Sequence, residues 1–125
     1  MIYLSFEQIL ELHNVLIEKF GGLLGIRDRG LLESALVAPM MAVFGEELHK
    51  TVYNKAAAYL FYIAKNHAFL DGNKRTAAST ALVFLRANRE SPKYNVDDFL
   101  EFVVSVAEGQ ADLDDIGNYF EKICS

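Results

Sequence analysis

Apolar residues recur along this chain every three or four positions, in blocks separated by short polar or glycine-containing breaks. That spacing is the signature of amphipathic helices. In the first block Phe6, Ile9, Leu10, His13, Leu16, Ile17 and Phe20 share one face. Ser5 with Gln8 forms a capping box at its start, Leu4 with Ile9 supplies the hydrophobic staple, and Gly21-Gly22 closes it. His13 on this face is expected to be a packed, hydrogen-bonded core residue rather than a ligand or a base. Arg27–Gly30 opens a short second helix through Leu31, Leu32, Ala35 and Leu36, which ends before Pro39. One or two further helical turns are expected around Met41–Phe44. Thr51 caps a strong helix through Val52, Ala56, Tyr59, Leu60 and Ile63, and another runs from about Asn73 to Asn88. Asn95 with Asp98, and Asp112 with Asp115, begin two more. Phe99, Phe102, Val103 and Val106 give the first of these its buried face; Ile116, Tyr119, Phe120 and Ile123 give the second. The aromatic positions are read as core.

No run of strict alternation appears, so strands are at most a short pair near Tyr94. The pattern predicts an all-α fold: a compact single-domain bundle of about six to seven helices over residues 1–125, with at most a very short β element. With 52% apolar and 23% charged residues, the chain has the balance of a globular protein able to build one core. Its single cysteine, Cys124, suits a reducing compartment. Met1–Glu7 has neither the basic nor the apolar region of a signal peptide. The longest uncharged apolar stretches, Ala56–Ala64 and Ala77–Leu85, are too short to span a bilayer. A cytoplasmic location without membrane contact is the expectation. The net charge of −5 disfavours direct nucleic-acid binding, while leaving room for a small, locally basic pocket.

One segment is not explained by folding needs. The two strongest helices are joined by His67-Ala68-Phe69-Leu70-Asp71-Gly72, and the second begins Asn73-Lys74-Arg75. Asp71-Gly72 is a turn pair. After it, the open N–H groups of a helix start and the helix dipole favour an anion. Gly72 lets backbone approach a ligand, and Lys74 and Arg75 add two full positive charges. Cations in a first turn oppose the dipole, at about 0.3–1 kcal/mol each, and a bound polyanion reverses that penalty. Asp71 beside phosphates calls for an intervening cation, and Mg²⁺ is commonly held by one or two carboxylates together with substrate phosphates. His67 is the nearby group that ordinarily titrates near neutrality and can take a proton from an attacking hydroxyl. Phe69 reads as the anchor pinning the loop to the core. The alanine runs flanking the loop, Ala56–Ala58 and Ala77, Ala78 and Ala81, imply close helix packing and a rigid support. Taken singly, Lys74 and Arg75 could be a solvated helix start, Asp71 a cap and His67 a helix end. Their concentration within nine residues favours a site.

Other machinery is absent. The sequence contains no G-x-G-x-x-G, G-K-[ST], H-E-x-x-H or G-x-S-x-G motif, no structural-zinc spacing, and neither H-R-D nor D-F-G.

The segment HAFLDGNKRTA closely resembles the H-x-F-x-[D/N]-[A/G]-N-K-R signature of the Doc (death-on-curing) toxins, within the wider Fic/Doc superfamily. Seven of its nine positions are specified and all seven match. The stretch GGLLGIRDRGLLESALVAP looks like the family's upstream G-[IL]-R-D-x-x-x-L-x-x-A-L block, and the alanine-rich helices on either side of the motif also fit. The resemblance extends over essentially the whole chain. It implies a Fic/Doc-like bundle in which His67 is the base activating a hydroxyl on a target protein. Asp71 would hold Mg²⁺; Gly72, Asn73, Lys74 and Arg75 would grip nucleotide phosphates; Phe69 would be structural.

Fic enzymes that transfer AMP usually read H-x-F-x-[D/E]-G-N-G-R-x-x-R. Here Lys74 replaces the second glycine and Ala78 stands in place of the second arginine. Lysine would fill room those enzymes leave for the α-phosphate. The resemblance to the Doc branch therefore implies transfer of the ATP γ-phosphate onto a translation factor, elongation factor Tu, blocking protein synthesis. An inhibitory [S/T]-x-x-x-E-[G/N] helix is also missing. The nearest match, Ser105-Val106-Ala107-Glu108-Gly109, is one residue short, as expected if a small antitoxin restrains the protein in trans. AMP transfer by the same residues, and a non-catalytic module that docks a partner, are the competing readings.

Overall fold

The computed structural model describes residues 1–125 and contains six α-helices: α1 Phe6–Phe20, α2 Arg29–Val37, α3 Val52–Asn66, α4 Asn73–Ala87, α5 Val96–Ala107 and α6 Leu113–Ile123. Every helix except α4 starts at a polar residue whose side chain caps it. Ser5 and Gln8 exchange both hydrogen bonds of a capping box, and Asp112 with Asp115 does the same for α6. Thr51 and Asn95 accept from the third residue of α3 and α5. For α2 the cap is Asp28, whose carboxylate accepts from the Leu31 N–H at 3.0 Å, so the helix proper begins at Arg29.

Helix α3 is central, packing most heavily on α4 and α6 and also on α2 and α5. The small residues Ala56, Ala57, Ala64, Ala77 and Ala81 are all fully buried, which lets the helix backbones come close. Tyr59, Phe84, Phe99 and Phe120 fill the spaces between. No helix is long and apolar enough to cross a membrane.

Three expectations are corrected. Met41–Phe44 is not helical. After a single 3-10 turn at Ala38–Met40 the chain forms a small hairpin, β1 Ala42–Val43 against β2 Glu46–Glu47, antiparallel with Ala42 opposite Glu47. Its two-residue turn, Phe44-Gly45, has positive φ at both positions (51° and 79°), as a tight hairpin requires. Phenylalanine at the first turn position, and strands exposed on both faces, conceal this pair from any periodicity argument. The segment near Tyr94 carries no strand pair; it is extended coil tied to α6 by the Lys93 N–H to the Ile123 carbonyl at 2.8 Å. Finally, the aromatics are not all core: Phe44 is wholly exposed and Phe20 is 53% exposed.

The hairpin is tethered by Lys55, buried in α3, whose Nζ donates to the Pro39 carbonyl (3.2 Å) and pairs with Glu47 on β2 (2.9 Å). Burial works against its charge, but the hydrogen bond to Glu47 and the nearby Tyr3 outweigh it and leave the pKa raised.

Candidate functional site

Helix α3 stops at Asn66 because His67 adopts a left-handed conformation, φ 49° and ψ 48°. Such a turn is unfavourable for a residue with a side chain, and here an external group supports it. Arg27 donates from Nε to the His67 carbonyl at 2.7 Å and from Nη2 to the Asn66 carbonyl at 3.1 Å. One guanidinium thus caps the end of α3, where a cation also suits the dipole.

From His67 the chain runs extended alongside Gly25–Asp28. Arg27 and Asp28 both donate their N–H groups to the Ala68 carbonyl (2.7 and 3.0 Å), Leu70 donates to Gly25 (3.1 Å), and Ile26 bridges Phe69. The G-I-R-D stretch is therefore a splint for the loop. Phe69 points inward and is 1% exposed, its ring stacked on His13 with centroids 3.8 Å apart and planes 6° from parallel. The Asn73 side chain clips the same residue, accepting from the Phe69 N–H at 3.0 Å and donating to its carbonyl at 3.1 Å. These two bonds fix the orientation of the Asn73 amide, and its backbone N–H stays open at the start of α4.

The turn into α4 is made by Gly72 at φ 73°, with no side-chain cap. A Cβ at Gly72 would stand 3.0 Å from the Ile17 side chain, so both the dihedral and the space call for glycine. The backbone N–H groups of Asn73, Lys74 and Arg75 find no acceptor in the chain, leaving three parallel donors at the positive end of the helix. Asp71 stands beside them. Its Oδ1 accepts from the Gly72 N–H (2.9 Å) and its Oδ2 from the Leu23 N–H (3.2 Å). Gly22 lies against this carboxylate: a Cβ there would sit 2.7 Å from Oδ2.

These groups open onto one cleft of about 490 Å³. Its polar side is His67, Asp71, Gly72, Asn73, Lys74 and Arg75; its apolar wall is Leu16, Ile17 and Phe20 from α1 with Leu100, Val103 and Val104 from α5. The Arg75 guanidinium lies over the Phe20 ring, 4.0 Å from its centroid, a cation–π contact that holds the charge at the cleft edge. Every polar residue singled out from the sequence thus faces a common space, and Phe69 lies beneath it. Four contributors were not singled out as site residues: Arg27, His13 under the loop, Gly22 against Asp71, and the α5 wall. Arg27 was quoted within a matching block and Gly22 was read only as a helix stop.

No group of three or more His, Cys, Asp or Glu side chains could hold a metal ion by itself. Asp71 is the sole carboxylate lining the cleft. A carboxylate has about four acceptor sites and two are used here, which leaves room for one divalent ion completed by ligand oxygens. The donor set suits Mg²⁺ carried in with phosphates and does not form a stand-alone metal cage.

Fold and cleft together define a helical domain whose reactive groups are gathered on the turn into a central helix. The chain belongs to the Fic/DOC family, whose model matches residues 3–85. It is 39% identical over 116 residues to Toxin Doc of Mycolicibacterium smegmatis, covering 91% of this chain and 87% of that one. It is 30% identical over 123 residues to Protein kinase doc of Escherichia phage P1, covering 98% and 96%.

Proposed function

We propose that this chain is the toxin of a toxin–antitoxin module and acts as a protein kinase-like transferase. It moves the γ-phosphate of ATP onto a Ser or Thr hydroxyl of a translation factor, elongation factor Tu being the expected target, and a small antitoxin neutralises it in trans. The observation that carries this reading is the convergence of three open N–H groups, two cations and an imidazole on one cleft. The names of the two relatives, a toxin and a protein kinase, support the same reading.

In this mechanism the triphosphate lies across the N–H groups of Asn73, Lys74 and Arg75, with the Lys74 and Arg75 side chains balancing its charge. The nucleoside rests on the apolar wall of Leu16, Phe20, Leu100 and Val104. His67 accepts the proton of the target hydroxyl as its oxygen bonds to the γ-phosphorus, and the bond to the β-phosphate oxygen breaks, releasing ADP. Asp71 would hold Mg²⁺, which when bound neutralises phosphate charge. Ala78, one turn after Lys74 on α4, supplies no second cation where AMP-transferring enzymes carry an arginine, which favours γ-phosphate transfer over AMP transfer.

The test uses ATP labelled on either phosphate. Label from the γ position should appear on the target, and His67→Ala should lower transfer by about 10²–10⁴ while leaving the fold intact. Label arriving only from the α position would establish AMP transfer instead. Growth inhibition that survives His67→Ala would point to a docking module without catalysis.

A further inference from the structure

His13 lies on α1, far in sequence from the loop, and yet touches three of its positions. It is fully buried. Its ring stacks on Phe69, its Nε2 is 2.8 Å from the Asp71 carbonyl oxygen, and the missing side chain of Gly72 would stand 3.6 Å from that same nitrogen. The Asp71 carbonyl receives no backbone N–H, so His13 is its partner within the chain. Its other ring nitrogen, Nδ1, is buried and has no partner at all. An apolar side chain would fill this space without stranding a polar atom. The imidazole's one hydrogen bond is what distinguishes it from ordinary packing.

We propose that His13 is a positioning residue for the candidate site, acting through the Asp71–Gly72 peptide. A carbonyl oxygen can only accept, so Nε2 carries the proton of this hydrogen bond. In a planar trans peptide the carbonyl and the following N–H point in opposite directions. Drawing the Asp71 oxygen inward towards α1 therefore turns the Gly72 N–H outward, where it meets Asp71 Oδ1. The same peptide plane sets where the Asp71 carboxylate stands and how the first N–H groups of α4 are presented. His13 thus orients both the acidic and the anion-binding halves of the site without lining the cleft.

This inference rests on the proposed transferase reading, and the experiment separates the two. His13→Leu keeps the volume but has no donor; His13→Gln can bring its Nε2–H towards the same carbonyl. Both lose the ring stacked on Phe69, so their difference isolates the hydrogen bond. We expect His13→Leu to lower kcat/KM for ATP-dependent transfer by roughly tenfold or more, as displaced reacting groups do, and His13→Gln to recover most of it. Amide exchange at Gly72 and Asn73 should be faster in the leucine variant than in the glutamine variant. Equal activity and equal exchange in the two variants would overturn the proposal. If the unmodified protein transfers no phosphate, the transferase reading fails, while the exchange comparison still decides the role of His13. Should the leucine variant not fold, nitrogen chemical shifts of the His13 ring in the unmodified protein serve instead. A proton on Nε2 supports the proposal, and a ring protonated on Nδ1 alone overturns it.

Discussion

Replacing Arg27 by alanine tests whether a side chain outside the motif holds His67 in place. The guanidinium makes two hydrogen bonds to the final carbonyls of α3, at 2.7 and 3.1 Å, and supports a residue held at φ 49°. Hydrogen bonds from a charged donor contribute about 1.5–3 kcal/mol each when well sequestered. Arg27 is exposed, so water re-solvates both carbonyls after its loss and the low end applies. A cation at a helix C-terminus adds about 0.3–1 kcal/mol. Discounted for exposure, the loss comes to about 2 kcal/mol, or roughly 6–10 °C in melting temperature for a domain of this size. The backbone pairing of Arg27 with Ala68 is untouched by the substitution, so the loop should stay docked while His67 relaxes from its left-handed conformation. Thermal unfolding and the backbone chemical shifts of His67 report the two effects separately. Arg27→Lys should restore the charge but not the two-point fork, and recover less than half of the loss. If Arg27→Ala melts with the parent and leaves the His67 shifts unmoved, the clamp is an incidental surface contact and the reasoning fails.

Two further outcomes are expected elsewhere. Gly22→Ala should impair Mg²⁺-dependent ATP use far more than Gly21→Ala, because an added Cβ meets Asp71 Oδ2 at 2.7 Å in the first case and nothing within 4 Å in the second; titration of activity against Mg²⁺ compares them, and equal behaviour would refute a role for that contact. The Tyr53 phenol should titrate late in an alkaline absorbance titration. Its hydrogen bond to Glu90 (2.6 Å), then burial, then the nearby negative charges push its pKa up to about 12. The fold favours the neutral phenol, so its contribution to stability is complete below about pH 10 and is lost as pH rises through about 12. Tyr53→Phe should remove that late transition, and a tyrosine titration unchanged by the substitution would show the assignment to be wrong.

Features written within a few residues of one another are legible in the sequence alone. A cap and its third helical residue are neighbours on the chain, so Ser5–Gln8, Thr51–Asn54, Asn95–Asp98 and Asp112–Asp115 mark helix starts without reference to the rest of the fold. The same holds for His67–Arg75, where turn, open helix end and cations are contiguous, and for His13, whose place on an apolar stripe predicted burial. Where local preference was weak, the reading failed. Phe44-Gly45 lacks the usual turn residue at its first position, and the strands it joins bury neither face, so nothing in Met41–Phe44 distinguished a hairpin from a helical turn.

Tertiary structure decided which distant side chains serve the loop. Ile26 and Phe69, His13 and Asp71, and Arg27 and His67 meet only because α1 and the segment after it fold back over the turn into α4. Periodicity buries His13 but cannot say which carbonyl it faces, and a glycine pair ends a helix equally well with or without a carboxylate against it. Short-range chemistry thus named the reactive groups, while long-range packing set their orientation, because hydrogen bonds across the fold leave no spacing along the chain.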